Sequence, residues 1–278
     1  MRSVAGFIKQ LIDEMNEDRA TGLAAEQAFF FMLSIFPLLI LLLSILPYMD
    51  IDPQQAVTFI EAMMPGETAD AFEEHIFSVI TTPSGGLLTF GIIGTIWTAS
   101  SGMNAFIGAM NEAFNVRETR SFIKVRLLSI LLTFGMIIAI VGSLILLIFG
   151  NVIISQISVN LQLPVETERL VNILRWLASL LIMMTILSTL YYVAPDKWFP
   201  FKEVIPGAVA ATVSWQLISL CFSFYVSNFG NYSATYGSLG GVIVLMFWFF
   251  LTGLSLVFGG EINALLRERR DSPKRREE

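Results

Sequence analysis

The stretch GSLGGVIVLMFWFFLTGLSLVFGGEINALLRERR, residues 237–270, decides which class of fold the chain can adopt. Residues 239–258 carry no ionisable side chain, and after them come Gly259, Gly260, Glu261 and a group of arginines. About 20 apolar residues in an α-helix are enough to cross the hydrocarbon core of a bilayer. The stretch therefore predicts a transmembrane helix that has a carboxylate and several basic residues at one end.

The rest of the sequence repeats this pattern. Of its 278 residues 55% are apolar and 14% are charged, whereas an ordinary soluble domain is about 25% charged. Uncharged segments occupy residues 27–49, 76–111, 127–165, 176–195 and 204–260. The last contains the turn-like SNFGNYSATYGS and divides into two spans. We predict an all-α polytopic membrane protein with six transmembrane helices, near residues 28–48, 87–110, 127–151, 171–194, 204–227 and 239–263.

Lysine and arginine are confined to alternate connections between these spans. Segment 50–86 and segment 227–238 contain none, and segment 152–170 contains only Arg169. The basic residues of the other connections and ends are Arg2, Lys9, Arg19, Arg117, Arg120, Lys124, Arg126, Lys197, Lys202, Arg267, Arg269, Arg270, Lys274, Arg275 and Arg276. Because basic loops stay in the cytoplasm, the pattern predicts that both termini are cytoplasmic.

The segments flanking the membrane domain (28–264) are of three kinds. The apolar periodicity of residues 1–27 predicts an amphipathic helix. This helix either lies in the cytoplasmic interface of the membrane or packs on the cytoplasmic ends of the bundle. Residues 50–86 form an acidic outer loop whose apolar periodicity predicts two short helices. Residues 265–278 form a charged tail.

Three blocks of the sequence resemble a known family. They are LAAEQAFFFMLSIFPLLILLLSI at 23–45, NEAFNVRETRSFIKVRLLSILLT at 111–133, and residues 206–264, which contain YGSLG and GEIN. The chain resembles the YihY/BrkB family of bacterial inner-membrane proteins, some of which once carried the name ribonuclease BN. The resemblance implies six helices with both ends inside the cell. It also implies a poorly defined activity, for which export of envelope material is among the proposals.

Polar residues at the cytoplasmic helix ends form the first candidate site. They are Glu26, Gln27, Asn111, Glu112, Glu261 and Asn263. Charged groups at membrane depth are costly and often mark pathways. With Arg117, Arg120 or Arg126 these acids predict either a gate at the inner mouth of a cavity or a structural network that ties the helix ends together. Arg267 is the expected partner of Glu261.

A second candidate site is a groove. Its predicted residues are Gly91, Thr95, Thr98, Gly102, Asn104, Gln216 and Tyr236. A stripe of small residues lets two helices pack tightly in lipid. The alternative interpretation is the wall of a groove wide enough for a lipid chain.

We expect no catalytic, cofactor-binding or metal site. Ribonuclease chemistry needs clustered ligands or titrating groups, and the one histidine, His75, lies on the predicted outer face. The sequence favours a translocator of a lipid-like or envelope-related substrate, with a scaffold in envelope assembly as the alternative. The expected partners are membrane lipids, with envelope proteins or a second copy of the chain as further candidates, and no nucleic acid.

Overall fold

The computed structural model describes residues 4–48, 83–138, 165–229 and 239–271. Within these ranges the chain is helical and contains no strand, which confirms the all-α class. The helices are α1 (Val4–Glu17), α2 (Ala20–Ile45), α3 (Gly85–Ala113), α4 (residues 122–138), α5 (Val165–Val193), α6 (Ile205–Phe229) and α7 (Leu239–Asp271). Short 3-10 turns follow α2 and precede α6. Residues 50–82 of the predicted outer loop lie outside the described residues.

Among the described residues, four helical segments are long and apolar enough to cross a membrane. They are Ala20–Tyr48, Trp176–Val193, Phe201–Asn228 and Gly240–Asp271. Helix α3 covers the predicted span 87–110, and α4 covers the start of the span predicted at 127–151, whose remainder lies outside the described residues. Large apolar side chains such as Phe36, Ile93 and Leu220 are exposed on the outside of the bundle. The structure therefore supports several spans, while the number six stays a prediction.

Two predicted boundaries differ from the observed helices. Helix α2 begins at Ala20, before the span predicted near residues 28–48, and it contains Glu26 and Gln27. Helix α7 continues to Asp271, so the first residues of the predicted tail are helical, and residues 272–278 lie outside the described part. In both cases the helix extends beyond its apolar run because packing on neighbouring helices stabilises the additional turns.

Helices α2 and α3 pack closely along their length. A Cβ atom placed on Gly91 would lie 2.8 Å from the backbone of Leu41, and one on Gly94 would lie 2.9 Å from Pro37. A Cβ on Gly102 would lie 2.7 Å from the Phe31 ring. The small-residue stripe of α3 therefore serves the tight helix contact that such residues allow in lipid.

Helix α1 packs against the end of α7. Leu11 is buried, the Arg269 guanidinium lies 4.8 Å from the centre of the Phe7 ring, and Arg269 Nη2 donates to Gln10 Oε1 over 2.7 Å. Of the two arrangements predicted for residues 1–27, the structure shows the helix packed on the bundle. A two-residue turn, in which Arg19 has a φ of 54°, joins α1 to α2.

The polar connections meet at one end of the bundle. The contacts that join them are Gln10–Arg269 between α1 and α7, Thr119–Asp196 between the α3–α4 and α5–α6 connections, and Glu203–Arg267 between the start of α6 and the end of α7. This end carries the basic residues from which the sequence predicts the cytoplasmic side.

Gly91→Ala tests the α2–α3 contact. The added methyl group meets the Leu41 backbone, which cannot move away as a flexible side chain can, so we expect a loss of about 1–3 kcal/mol in unfolding free energy. Gly108→Ala on the same helix is the control, because nothing lies within 4 Å of its added Cβ and alanine favours helix by about 1 kcal/mol. Thermal unfolding in detergent should separate the two variants, and equal melting temperatures would contradict the packing.

Candidate functional site

A pair of buried carboxyl groups lies where α1, α2 and α7 meet. Glu261 of α7 is 1% exposed and Asp18, in the turn between α1 and α2, is 9% exposed. The two carboxyl groups are hydrogen-bond partners of each other. Asp18 Oδ2 and Glu261 Oε1 are buried and have no hydrogen-bond partner within the described part of the chain. A hydrogen bond between two carboxyl groups requires that one of them carries a proton.

The position of Glu261 follows from the two glycines before it. A Cβ on Gly260 would lie 2.6 Å from Met110 Cε of α3, and a Cβ on Gly259 would lie 2.6 Å from the carbonyl oxygen of Gly207 on α6. Without side chains at these positions α7 approaches both helices closely. The next residue, Glu261, is therefore held inside the bundle rather than at its surface.

The electrostatic environment of Asp18 is acidic. Burial, together with the charges of Glu112, Glu14 and Glu17, raises its pKa to about 6, while the hydrogen bond with Glu261 acts in the opposite direction. Two of these acids, Glu14 of α1 and Glu112 of α3, also act on Glu261, together with Asp18 itself. No arginine or lysine pairs with Asp18 or Glu261 within the described ranges.

An open polar cavity of about 370 Å³ lies beside the carboxyl pair. Its walls come from α1, the end of α3, the α5–α6 connection and the end of α7, and they include Glu14, Asn115, Lys197, Glu261 and Arg267. The pair is thus adjacent to a water-accessible pocket at the basic end of the bundle. A proton can reach the pair from this side without crossing the apolar interior.

The structure divides the predicted inner-mouth cluster. Glu112 is exposed but acts electrostatically on the carboxyl pair, whereas Glu26 is exposed with no contact recorded among the described residues. Gln27 is fully buried, its Nε2 donates to Leu23 O over 3.4 Å, and its Oε1 has no partner. It lies seven residues into α2 after Ala20, roughly 10 Å deeper at 1.5 Å per residue.

Asn111 belongs to a separate polar network. Its Nδ2 donates to Glu118 Oε2 and its Oδ1 accepts the backbone N–H of Asp196, both over 2.8 Å. Arg120 pairs with Glu118 at 2.7 Å and lowers the pKa of that carboxyl, while hydrogen bonds from Thr119 lower the pKa of Asp196. These bonds tie the α3–α4 connection to the α5–α6 connection, which is the structural role that the sequence left open.

Asn263 ties α6 to α7. Its Oδ1 accepts the N–H of Gly207 over 2.6 Å and its Nδ2 donates to Val204 O over 3.1 Å. The first turn of a helix leaves N–H groups without intrahelical partners, and Asn263 supplies one such partner from a neighbouring helix. This residue is also structural.

The prediction that these arginines pair with the acids of the inner-mouth cluster is wrong. Arg267 pairs with Glu203 at 2.7 Å and with Asp271 at 3.6 Å, rather than with Glu261. Arg120 pairs with Glu118 and Asp196, Arg126 contacts Trp97 and Ser101, and Arg117 is exposed. Arg120 and Arg267 reach carboxylates of nearby connections at the bundle end, and Arg126 reaches α3, instead of turning inward to the buried acids.

Asp18 is the residue that the sequence analysis missed. Together with Phe7, Leu11 and Met15 it falls on the inward face of α1, since these positions recur every three to four residues. The spacing of Asp18 with these apolar residues could have predicted that its carboxyl group faces the bundle. Its partner Glu261, 243 positions further along the chain, becomes visible only in the fold.

The described members of the predicted groove have different surroundings. Gly91 and Gly102 face α2, Thr98 Oγ1 donates within its own helix to Gly94 O over 2.8 Å, and Asn104 is exposed. Thr95 Oγ1 is buried without a partner. Gln216 is half-buried on α6, and Tyr236 lies outside the described residues.

Two apolar cavities open on the flanks of the bundle. The first, of about 680 Å³, lies between α2, α6 and α7 and is lined by residues such as Phe29, Met32, Phe36, Phe222 and Phe247. The second, of about 730 Å³, lies between α2 and α3. We call them the α7 cavity and the α3 cavity.

Long apolar helices, exposed apolar flanks and polar connections gathered at one end define a helical multi-pass membrane protein. The chain belongs to the family described as Virulence factor BrkB, which it matches over residues 11–278. It is 42% identical over 267 residues to ribonuclease-like protein YfkH of Bacillus subtilis (strain 168), covering 96% of this chain and 97% of that one.

More distant relatives carry the name UPF0761 membrane protein. The protein of Tolumonas auensis is 27% identical over 257 residues, covering 90% of this chain and 82% of the relative. That of Vibrio campbellii is 27% identical over 272 residues, covering 95% and 82%. No solved structure matches the chain. The family resemblance seen in the sequence is thereby confirmed.

The raised pKa of Asp18 predicts a pH-dependent contact between α1 and the bundle. An acid whose pKa is raised in the folded state stabilises that state fully below its ordinary value of 3.8, and the contribution is lost as pH rises through about 6. We expect backbone amides around Leu11 to be well protected from hydrogen exchange at pH 5 and less protected at pH 8, after correction for intrinsic rates.

Asp18→Asn should remove this pH dependence, since the amide keeps the shape and cannot ionise. Asp13→Asn, at an exposed position of α1, is the matched control and should behave as the unmodified protein does. Equal protection at pH 5 and pH 8 in the unmodified protein would refute the assignment.

Proposed function

We propose that the chain is a translocator of a lipid-like or envelope-related substrate in the bacterial cytoplasmic membrane. It crosses the membrane six times with both termini in the cytoplasm. The observation that carries the proposal is the α7 cavity, which is apolar, open at the side of the bundle and as large as a typical ligand site of about 300–1,000 Å³.

The proposed topology is supported by the distribution of lysine and arginine and by the meeting of the basic connections at one end of the bundle. Connections rich in lysine and arginine are joined there by hydrogen bonds and ion pairs, and cytoplasmic loops carry the basic excess in membrane proteins. The three segments with hardly any basic residues belong to the opposite end. In this arrangement the carboxyl pair faces the cytoplasm.

The α7 cavity suits the chain of an amphiphile rather than an ion. Its lining residues Phe29, Phe36 and Phe247 are 60%, 64% and 47% exposed, so an acyl chain enters from the bilayer without crossing a polar barrier. Phe250 at its inner limit lies eleven residues before Glu261, roughly 16 Å along the axis of α7. A substrate in this position has its apolar part in the cavity and its polar part near the bundle end.

The carboxyl pair is the proposed gate. While it shares a proton it holds the α1–α2 turn against α7, because a protonated pair is stable in a buried site whereas two buried charges are not. Loss of the proton puts two negative charges side by side beside Glu14 and Glu112. Repulsion then moves the turn away from α7 and opens the inner end.

Ala25→Trp tests the cavity. Ala25 lines the α7 cavity and is exposed, so a tryptophan there fills the space without creating a buried clash. In liposomes that contain fluorescent phospholipids, we expect transfer between leaflets to fall at least about fivefold. Val213→Trp, an exposed position of α6 that does not line the cavity, is the control and should retain the rate. Absence of lipid transfer by the unmodified protein would refute translocation of phospholipids.

Glu261→Gln tests the gate in the same assay. Glutamine imitates the protonated acid and keeps the gate closed, so we expect a severalfold lower rate that no longer rises between pH 5 and pH 8. Glu26→Gln, an exposed acid of α2, should keep the rate and its pH dependence. Unchanged transport by Glu261→Gln would exclude gating by this residue.

A scaffold in envelope assembly is the alternative. The exposed face of α1, with Ile8 and Ile12 each about half exposed, favours it because exposed apolar side chains mark contact surfaces. Site-specific crosslinking from Ile12 that recovers one stoichiometric protein partner, combined with no lipid transfer in liposomes, would favour the scaffold. We propose a non-enzymatic role for the chain. The word ribonuclease belongs to the name of its relative YfkH and is not carried over to this chain.

A further inference from the structure

Arg126 has an unusual environment for a cation. It lies in the first turns of α4 and reaches α3, where its Nη1 donates to Ser101 Oγ over 3.0 Å and its Nη2 to Trp97 O over 2.6 Å. The guanidinium lies 3.8 Å from the centre of the Trp97 ring. These contacts orient the side chain toward the bundle flank and not toward the polar connection that precedes α4.

No carboxylate neutralises Arg126 within the described ranges. Arg120, Arg267 and Arg270 at the same end of the bundle all pair with acids. The contacts of Arg126 are an aromatic face, a hydroxyl and a carbonyl, and its Nε–H has no partner. Each Nη nitrogen carries two hydrogens and uses one of them. The guanidinium therefore keeps its full charge together with unused donors, at a depth where an unpaired charge is costly.

The α3 cavity begins at the same tryptophan. It is about 730 Å³ in volume and is lined by residues that include Pro37, Gly85, Gly86, Phe90, Ile93 and Trp97. Among the described residues, nothing lies within 4 Å of a Cβ placed on Gly85 or Gly86. From residue 85 to residue 98 the lining extends roughly 20 Å at 1.5 Å per residue. That length is typical of a single acyl chain lying along a helix.

We propose that Arg126 and the α3 cavity form a binding site for an anionic phospholipid. The phosphate of the lipid accepts hydrogen bonds from the guanidinium, which matches phosphate geometry and is strengthened by opposite charge. One acyl chain of the lipid lies in the apolar cavity along α3. The ring of Trp97 packs between the two parts and holds the guanidinium in place through a cation–π contact.

Charge complementarity selects this occupant. A neutral helix of a second protein or of a second copy would fill the apolar cavity but would leave the Arg126 charge uncompensated. A zwitterionic lipid would bring a phosphate together with a cation that competes for it. The site lies on the α3 side of α2 and shares no lining residue with the α7 cavity. It therefore goes beyond the proposed function, and lipid binding here stands whether or not the protein moves lipid.

Native mass spectrometry of the full chain in detergent tests the site. We expect the protein to bind phosphatidylglycerol at least about tenfold more tightly than phosphatidylcholine with the same acyl chains. Arg126→Gln should lower phosphatidylglycerol binding about tenfold and leave phosphatidylcholine binding unchanged. Lys124→Gln removes one positive charge two residues away at an exposed position of the same helix, and it should retain the affinity.

Two further variants keep the test decisive if Arg126→Gln unfolds in a thermal melt. Arg126→Lys retains the charge without the planar fork, so it should bind phosphatidylglycerol severalfold more weakly and still prefer it to phosphatidylcholine. Gly86→Trp should weaken binding of both lipids, because it blocks the path of the chain.

Three results would overturn the proposal. They are equal affinity of the unmodified protein for the two lipids, equal loss in Arg126→Gln and Lys124→Gln, or binding of a second copy of the chain in place of lipid. The readout is lipid binding rather than transport, so the failure of either proposal leaves the other standing.

Discussion

Helix α7 comes close to three other helices, and the remaining structure depends on that approach. Cβ atoms on Gly253, Gly259 and Gly260 would collide with the backbone of α2, with α6 and with Met110 of α3, respectively. In lipid no hydrophobic effect drives helices together, so close van der Waals packing has to supply the stability. Side chains at these positions would separate α7 from its neighbours and displace everything attached to its end.

Burial of Glu261 is a consequence of this packing. The carboxyl group follows directly after the glycines, so the close packing of α7 holds it inside the bundle at the edge of the polar cavity. Its partner Asp18 is held by the turn between α1 and α2, and α1 itself is anchored on α7 through Arg269. The pair therefore connects the N-terminal helix, the first span and the last span. Gain or loss of a single proton by the pair changes how strongly these three elements are held together.

The two flanks of α2 differ in the way they meet lipid. On one side the α7 cavity is bounded by phenylalanine side chains from three helices. On the other side the α3 cavity ends at a tryptophan that carries an arginine on its face. A purely apolar cavity has no charged group that would select one apolar chain over another. A cavity next to an unpaired cation selects its occupant by charge and retains it, which suits a resident lipid better than a passing substrate.

The membrane class, the all-α fold and the family were predictable from residues alone. Crossing the hydrocarbon core of a bilayer requires about 20 consecutive residues without charge. Each span has to meet this requirement by itself, so it is visible in each segment of the sequence separately. Gly91 and Gly102 were recognisable in the same way as a stripe on one helix, although the sequence did not distinguish packing from a groove. The distribution of basic residues predicted which connections share a side, and the structure brings those connections together.

The partners of the polar residues were not predictable. Glu261 stands near Arg267 along the helix, yet Arg267 bonds to Glu203 and Glu261 bonds to Asp18. Asn111 and Asn263 looked like members of one cluster with the acids, but each satisfies backbone or side-chain groups of a different connection. Such choices depend on the rotation and the depth of helices far apart in the chain. Local periodicity sets neither of these, because helix-to-helix distances are determined only when all the close contacts form together.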